Sequence, residues 1–149
     1  MGRGKTPVKA TSRKSKVTGD SSIKRKGKVQ TMKTNMRLQN MFKLSSKVTV
    51  YVPSTCDIDK PCDTSEWVDS CATLLSNCFG GATSTETLGY WASPTCGLVK
   101  ERSIMVFAYC SDTDLQGKIE TVIDFCEAMK NELKQDAIAM EINGEMYFI

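Results

Sequence analysis

Over its first 31 residues the chain offers only scattered aliphatics, Val8, Val17, Ile23 and Val29, among Lys, Arg, Ser, Thr and Gly. Such a stretch cannot bury enough apolar surface to offset the entropy of ordering it, so any fold must be assembled from residues beyond it. Residues 1–31 are therefore expected to form a basic disordered arm. Residues 32–46 form a transitional segment that adds Met36, Leu38, Met41, Phe42 and Leu44. Residues 47–149 form the folded domain. About 105 residues suffice to bury a core without metals or disulfides.

Charge divides the chain at nearly the same place. Residues 1–44 hold 13 Lys/Arg and one acidic residue, Asp20, while residues 45–149 hold 7 Lys/Arg against 16 Asp/Glu. A charge of +12 thus precedes a body of −9, and the overall +3 describes neither part. A basic arm on an acidic body is a pattern for polyanion contact. Lys24, Arg25, Lys26 and Lys28 form its densest cluster, followed by Arg13, Lys14 and Lys16, and these seven are the candidate nucleic-acid-binding residues. Extended basic arms neutralise phosphates with little sequence preference.

Within the folded part, periodicity sets the order of elements. Lys47 to Val52 alternates β-branched and aromatic residues and is closed by Pro53, which reads as a strand. Asp63-Thr64-Ser65-Glu66 resembles a helix N-cap with glutamate at N3. Trp67, Cys71, Leu74, Leu75 and Cys78 then repeat on one helical face up to Gly80-Gly81, where a left-handed cap needs glycine. Thr83–Ala92 and Leu98–Cys110 read as strands about a Pro94–Gly97 turn. Ser111 opens a second helix whose apolar stripe runs Leu115, Ile119, Val122, Cys126, Met129 and Leu133. Ala137–Ile142 is a strand, and Asn143-Gly144 turns it into a terminal hairpin.

The expected fold is α+β, a ferredoxin-like split βαβ of order β-α-β-β-α-β with a C-terminal hairpin. Two helices would cover one face of an antiparallel sheet. Trp67, Leu74, Ile119, Val122, Met129, Val50, Val106 and Phe107 are the expected core. The bare second face, with Met146, Phe148 and Ile149 near the end, suggests a homodimer.

Several chemistries are removed by composition. The chain has no histidine, which excludes Ser-His and Cys-His catalysis and imidazole switching. Its seven cysteines contain no C-x-x-C pair, so a zinc ribbon is unsupported. The opening residues lack the apolar core of a secretory signal, so a cytoplasmic protein with reduced thiols is expected, and no apolar run suits a membrane span. Asp57, Asp59, Asp63 and Glu66 lack the length and glycine of a calcium loop, and the segment from Gly80 to Thr85 follows a helix rather than opening one. No metal, no cofactor and no catalytic residue is expected. Tyr90 and Trp91 are adjacent in a strand and point to opposite faces, which leaves one free as a ligand or partner contact.

The segments VTVYVP, FGGAT, LGYW, GLVKERSIMVF and AIAMEINGEMYFI resemble a family of small uncharacterised proteins of bacterial plasmids, phages and other mobile elements, over residues 36–149. More distantly, the order of strand, helix, G-x-W strand and E-containing strand resembles a family of uncharacterised bacterial secreted proteins. Neither resemblance implies an activity or a site. The function expected from these readings is a non-enzymatic binding protein of a phage or mobile element, acting on nucleic acid through its arm. The alternative is a domain that binds a small ligand or a host protein, such as a host-defence antagonist, in which the arm is incidental.

Overall fold

The computed structural model describes residues 35–149. Residues 35–40 hold one helical turn, α1 (Met36–Gln39), opened by Asn35, whose side chain accepts from the Arg37 backbone N–H at 2.9 Å. The rest is built from β1 (Ser46–Pro53), β2 (Thr55–Cys56), β3 (Lys60–Pro61), α2 (Ser65–Phe79), β4 (Thr83–Ser93), β5 (Gly97–Cys110), α3 (Asp112–Leu133), β6 (Ala139–Ile142) and β7 (Glu145–Phe148). It is an α+β fold. Five strands form an antiparallel sheet in the order β4-β5-β1-β6-β7, and β2 pairs with β3 as a separate short ribbon.

Strand alternation separates the two sheet faces. Val48, Val50 and Val52 of β1 point to one face with Val106, Ala108 and Cys110 of β5 and Met140 of β6. Cys71 and Leu75 of α2 and Val122, Cys126, Met129 and Leu133 of α3 close over them, all buried. Each such aliphatic is worth about 1.5–3 kcal/mol on burial. That is enough to hold both helices on this face, although α3 is only weakly apolar overall. Burial pushes the Cys71 and Cys126 thiols up to about 12, so both behave as small hydrophobes.

The helix ends follow local chemistry. Gly80 (φ 90°) caps α2 in the left-handed region, and Ser111 caps α3 by accepting from the Asp114 N–H at 3.0 Å. Asp63 does not cap α2. The cap is Thr64, whose hydroxyl turns away to donate to the Pro53 carbonyl at 2.7 Å, and Asp63 instead accepts from the Ser65 N–H at 2.9 Å. Asn143 fixes the edge of the sheet: its Oδ1 accepts from the Lys47 N–H at 2.8 Å, and it turns into Gly144 with both residues at positive φ.

Two expected core residues are placed elsewhere. Leu74 is only half-buried and lines a surface groove with Asp69, Ser70, Thr73, Asn77 and Phe125, because Leu75, one position on, takes the central place in the core. Phe107 sits between Val106 and Ala108 and therefore faces away from the helices. The polar stretch after Pro53 carries the β2–β3 ribbon. Ala137 and Ile138 precede β6 rather than starting it.

Candidate functional site on the uncovered sheet face

Neither α2 nor α3 packs on the second face. By register it carries Lys47, Thr49 and Tyr51 of β1, and Glu101, Ser103, Met105, Phe107 and Tyr109 of β5. Thr83, Thr85, Thr87, Gly89 and Trp91 of β4, with Glu141 of β6, complete it. Two carboxylates stand among these residues. Glu141 is engaged: it accepts a hydrogen bond from the Tyr51 hydroxyl at 3.2 Å, and burial followed by this contact raises the Tyr51 pKa above its ordinary value. Thr49 lies between Glu141 and Phe107, fully buried, and its hydroxyl has no partner. Lys47 Nζ lies 4.7 Å from the Phe107 ring centroid, and Phe107 meets Tyr109 edge-on at 6.1 Å. This cluster is self-satisfied apart from Thr49.

Glu101 is differently placed. β5 pairs with β1 only from Ser103 to Cys110, whereas β4 and β5 continue together from Thr83↔Phe107 to Ser93↔Gly97. The β4–β5 ribbon therefore projects past the rest of the sheet, and Glu101 lies on that projection. Directly across from it is Gly89, which puts no side chain beside the carboxylate. Thr87 and Ser103 sit one step inward, with their hydroxyls 2.7 Å apart, and Trp91 sits one step outward, 51% exposed. Among the described residues the Glu101 carboxylate has no hydrogen-bond or ion-pair partner. It is six residues from Phe107 along β5, about 20 Å at strand spacing, so the two carboxylates cannot serve one small ligand within a single chain.

Tyr90 and Trp91 do occupy opposite faces of β4, as their adjacency requires, and both are more than half exposed because the ribbon is covered on neither side. Lys100 Nζ lies 5.8 Å from the Tyr90 ring centroid. Only Trp91 shares a face with Glu101. The basic-arm residues Arg13, Lys14, Lys16, Lys24, Arg25, Lys26 and Lys28 lie outside the described residues. No helix among the described residues is long and apolar enough to cross a membrane.

No protein-family model matches the chain, and no curated protein matches it either. Solved structures do. A phage SAM lyase in complex with S-methyl-5′-thioadenosine shares the fold with a TM-score of 0.51 at 17% identity, over 73% of this chain and 94% of that one. The same lyase in its apo state gives 0.51 at 18% identity, with equal coverage. A Bacillus cereus protein related to NIF3 scores 0.34 at 17% identity, over 70% of this chain and 25% of that one. The likeness to the lyase establishes the fold.

The same finding overturns the expectation of a non-enzymatic binding protein, because the two solved structures that share this fold at a TM-score of 0.51 are of an enzyme. Composition excludes less than that expectation assumed. Missing histidine removes imidazole chemistry, but not chemistry that runs on carboxylates, hydroxyls and aromatic faces. Glu101, Gly89, Thr87 and Ser103 escaped sequence reasoning because they form no contiguous motif. Strand parity alone would have placed each pair on one face, and only the register joins the two strands.

Proposed function

We propose that this chain cleaves S-adenosylmethionine to S-methyl-5′-thioadenosine, with the Glu101 notch of the β4–β5 ribbon as the substrate site. The observation that carries this reading is the fold likeness to the phage SAM lyase over nearly all of that chain. The chemistry of the notch supports it. S-adenosylmethionine is a sulfonium cation with an adenine ring. An unpaired carboxylate attracts the sulfonium, an exposed indole offers a stacking face to the adenine, and the gap over Gly89 leaves room between them. Thr87 and Ser103 supply hydroxyls for the ribose.

The reaction asks little of the protein's titratable groups. A sulfonium leaves as a neutral thioether, so no acid is required to protonate the leaving group. A lyase adds no water, so the four-carbon fragment departs either as a lactone, closed by the substrate's own carboxylate, or as an alkene after proton loss. The positive charge on sulfur is quenched as the bond breaks. An interaction between Glu101 and that charge therefore strengthens substrate binding more than it lowers the barrier. The phage source of the solved neighbour supports a phage or mobile-element setting for this chain. The strand order supports a split βαβ plan with β7 added at the edge.

The test is incubation of the purified full-length chain with S-adenosylmethionine, resolved by chromatography and proton NMR. S-methyl-5′-thioadenosine should accumulate with a lactone or alkene partner, and Glu101→Gln should lower kcat/KM by about ten- to a hundredfold, mostly through KM. Substrate that decays no faster than with heat-denatured protein would refute the assignment.

A further inference from the structure

The β2–β3 ribbon joins β1 to α2 and brings two cysteines together. Thr55 pairs with Pro61 and Cys56 with Lys60, so Cys62 falls diagonal to Cys56 on the same face of the ribbon. The Cys62 N–H donates to the Ser54 carbonyl at 3.2 Å, which continues the register by one residue, and both cysteine side chains pack against the core. The turn between them is tight. Asp57 and Ile58 both lie in the left-handed region, and the Asp59 N–H donates to the Asp57 carbonyl at 3.0 Å. The ribbon is also anchored from outside, because the Asp57 N–H donates to the Leu133 carbonyl at 2.7 Å and the Gln135 side chain to the Thr55 carbonyl at 3.0 Å. Its geometry is thus held by the end of α3, and the two cysteines lie diagonally on one face of it.

We infer that Cys56 and Cys62 form a site of reversible disulfide formation, a redox clamp on the connection between the first strand and the first long helix. Two thiols and one hydrogen peroxide give one disulfide and two waters, and an added dithiol reverses the step. The other cysteines contrast with this pair. Cys71, Cys110 and Cys126 are buried, Cys78 is half-buried near the end of α2 with no cysteine beside it in the chain, and Cys96 is alone on the exposed β4–β5 turn. Partial burial and the neighbouring Cys56 and Asp63 raise the Cys62 pKa to about 11, which keeps that thiol protonated at neutral pH. Lys60, across from Cys56, pairs with Asp57, and Asp59 and Asp63 leave the ribbon with a net negative charge. A small neutral oxidant should therefore oxidise the pair faster than the anionic glutathione disulfide.

The experiment exposes the reduced full-length chain to stoichiometric hydrogen peroxide, caps free thiols with N-ethylmaleimide and maps peptides by mass. The expected product is a 56–62 cross-link, two hydrogens lighter than the reduced peptide and released by reductant, with Cys71 and Cys126 unmodified. Oxidation should raise the thermal midpoint by about 5–10 °C, since a closed seven-residue loop constrains the unfolded chain. Cys56→Ser should abolish both the cross-link and the shift, and Cys96→Ser should leave both in place. Cys56 and Cys62 both labelled by the maleimide while Cys96 carries the oxidation would overturn the inference. So would cross-links that join either of them to a different cysteine.

Discussion

Gly89 stands directly across the β4–β5 ribbon from Glu101, and a Cβ built on it would lie 3.6 Å from the Glu101 carbonyl oxygen. That is ordinary van der Waals distance, so the strand tolerates a side chain here. The backbone therefore does not require the glycine, and in the proposed site its role is to keep space open beside the carboxylate. Gly89→Val should therefore fold normally, because β-branched residues suit a strand. It should also reduce turnover of S-adenosylmethionine at least about tenfold, a loss of about 1.4 kcal/mol in transition-state binding. Circular dichroism and product chromatography on one preparation separate the two effects. A fully active Gly89→Val variant would remove the notch from the proposal.

Thr49 predicts a gain in stability. Its hydroxyl is buried with no partner, and such a group costs about 1–3 kcal/mol. Thr49→Val keeps the shape and removes the orphan, so denaturant unfolding should show a rise of about 1 kcal/mol with an unchanged m-value. A loss of stability instead would mean that the hydroxyl is solvated in solution.

The Tyr51–Glu141 contact predicts a pH dependence with a definite sign. The Tyr51 pKa is raised above 10.0 in the fold, by burial first and by the Glu141 bond and charge next, so the folded state favours the neutral phenol. Its contribution to stability is fully present below pH 10 and is lost as pH rises through the folded value. Chemical unfolding compared at pH 8 and at pH above 10 should show a smaller alkaline loss for Tyr51→Phe than for the native chain. Equal losses would show that Tyr51 does not carry the effect.

Two charge insertions should behave in opposite ways. Val122 is fully buried between the helix and the sheet, so Val122→Asp places an unpaired carboxylate in the core and should prevent folding, at a cost above about 4 kcal/mol. Leu74, beside Phe125 in the surface groove, can turn an aspartate to water, so Leu74→Asp should cost no more than about 1–2 kcal/mol. Soluble expression and thermal melts of the two variants would decide between these placements.

These contrasts also mark what the sequence could reveal. The α3 stripe was legible because its 4-3-4-3-4 spacing runs through five turns without ambiguity, and Val122, Cys126, Met129 and Leu133 are all buried. In α2 two leucines stand side by side, and periodicity alone cannot choose between Leu74 and Leu75. Only packing against β5 does. Phe107 followed the same pattern within a strand: a continuous apolar run hides which parity faces the helices. The terminal hairpin was legible from Asn143-Gly144, since few residues other than these adopt consecutive positive φ angles. The notch was not. Thr87, Gly89 and Trp91 are separated from Glu101 and Ser103 by a turn, and which residues oppose one another depends on a register fixed over 11 residue pairs.

The projecting β4–β5 ribbon thereby makes this protein more sensitive to a change in length than to a change in identity. Side chains along the ribbon are exposed and can be exchanged at little cost to the core. Ser103 to Cys110, however, is clamped to β1 on one side and continues into the ribbon on the other. Insertion or deletion of a single residue near Ser103 would leave the valine core where it is and rotate everything beyond by one position. Glu101 would then turn towards the helix side and leave the notch without its carboxylate. Sequence drift in this chain is thus free to alter letters along the ribbon outside the notch, but not to add or remove one.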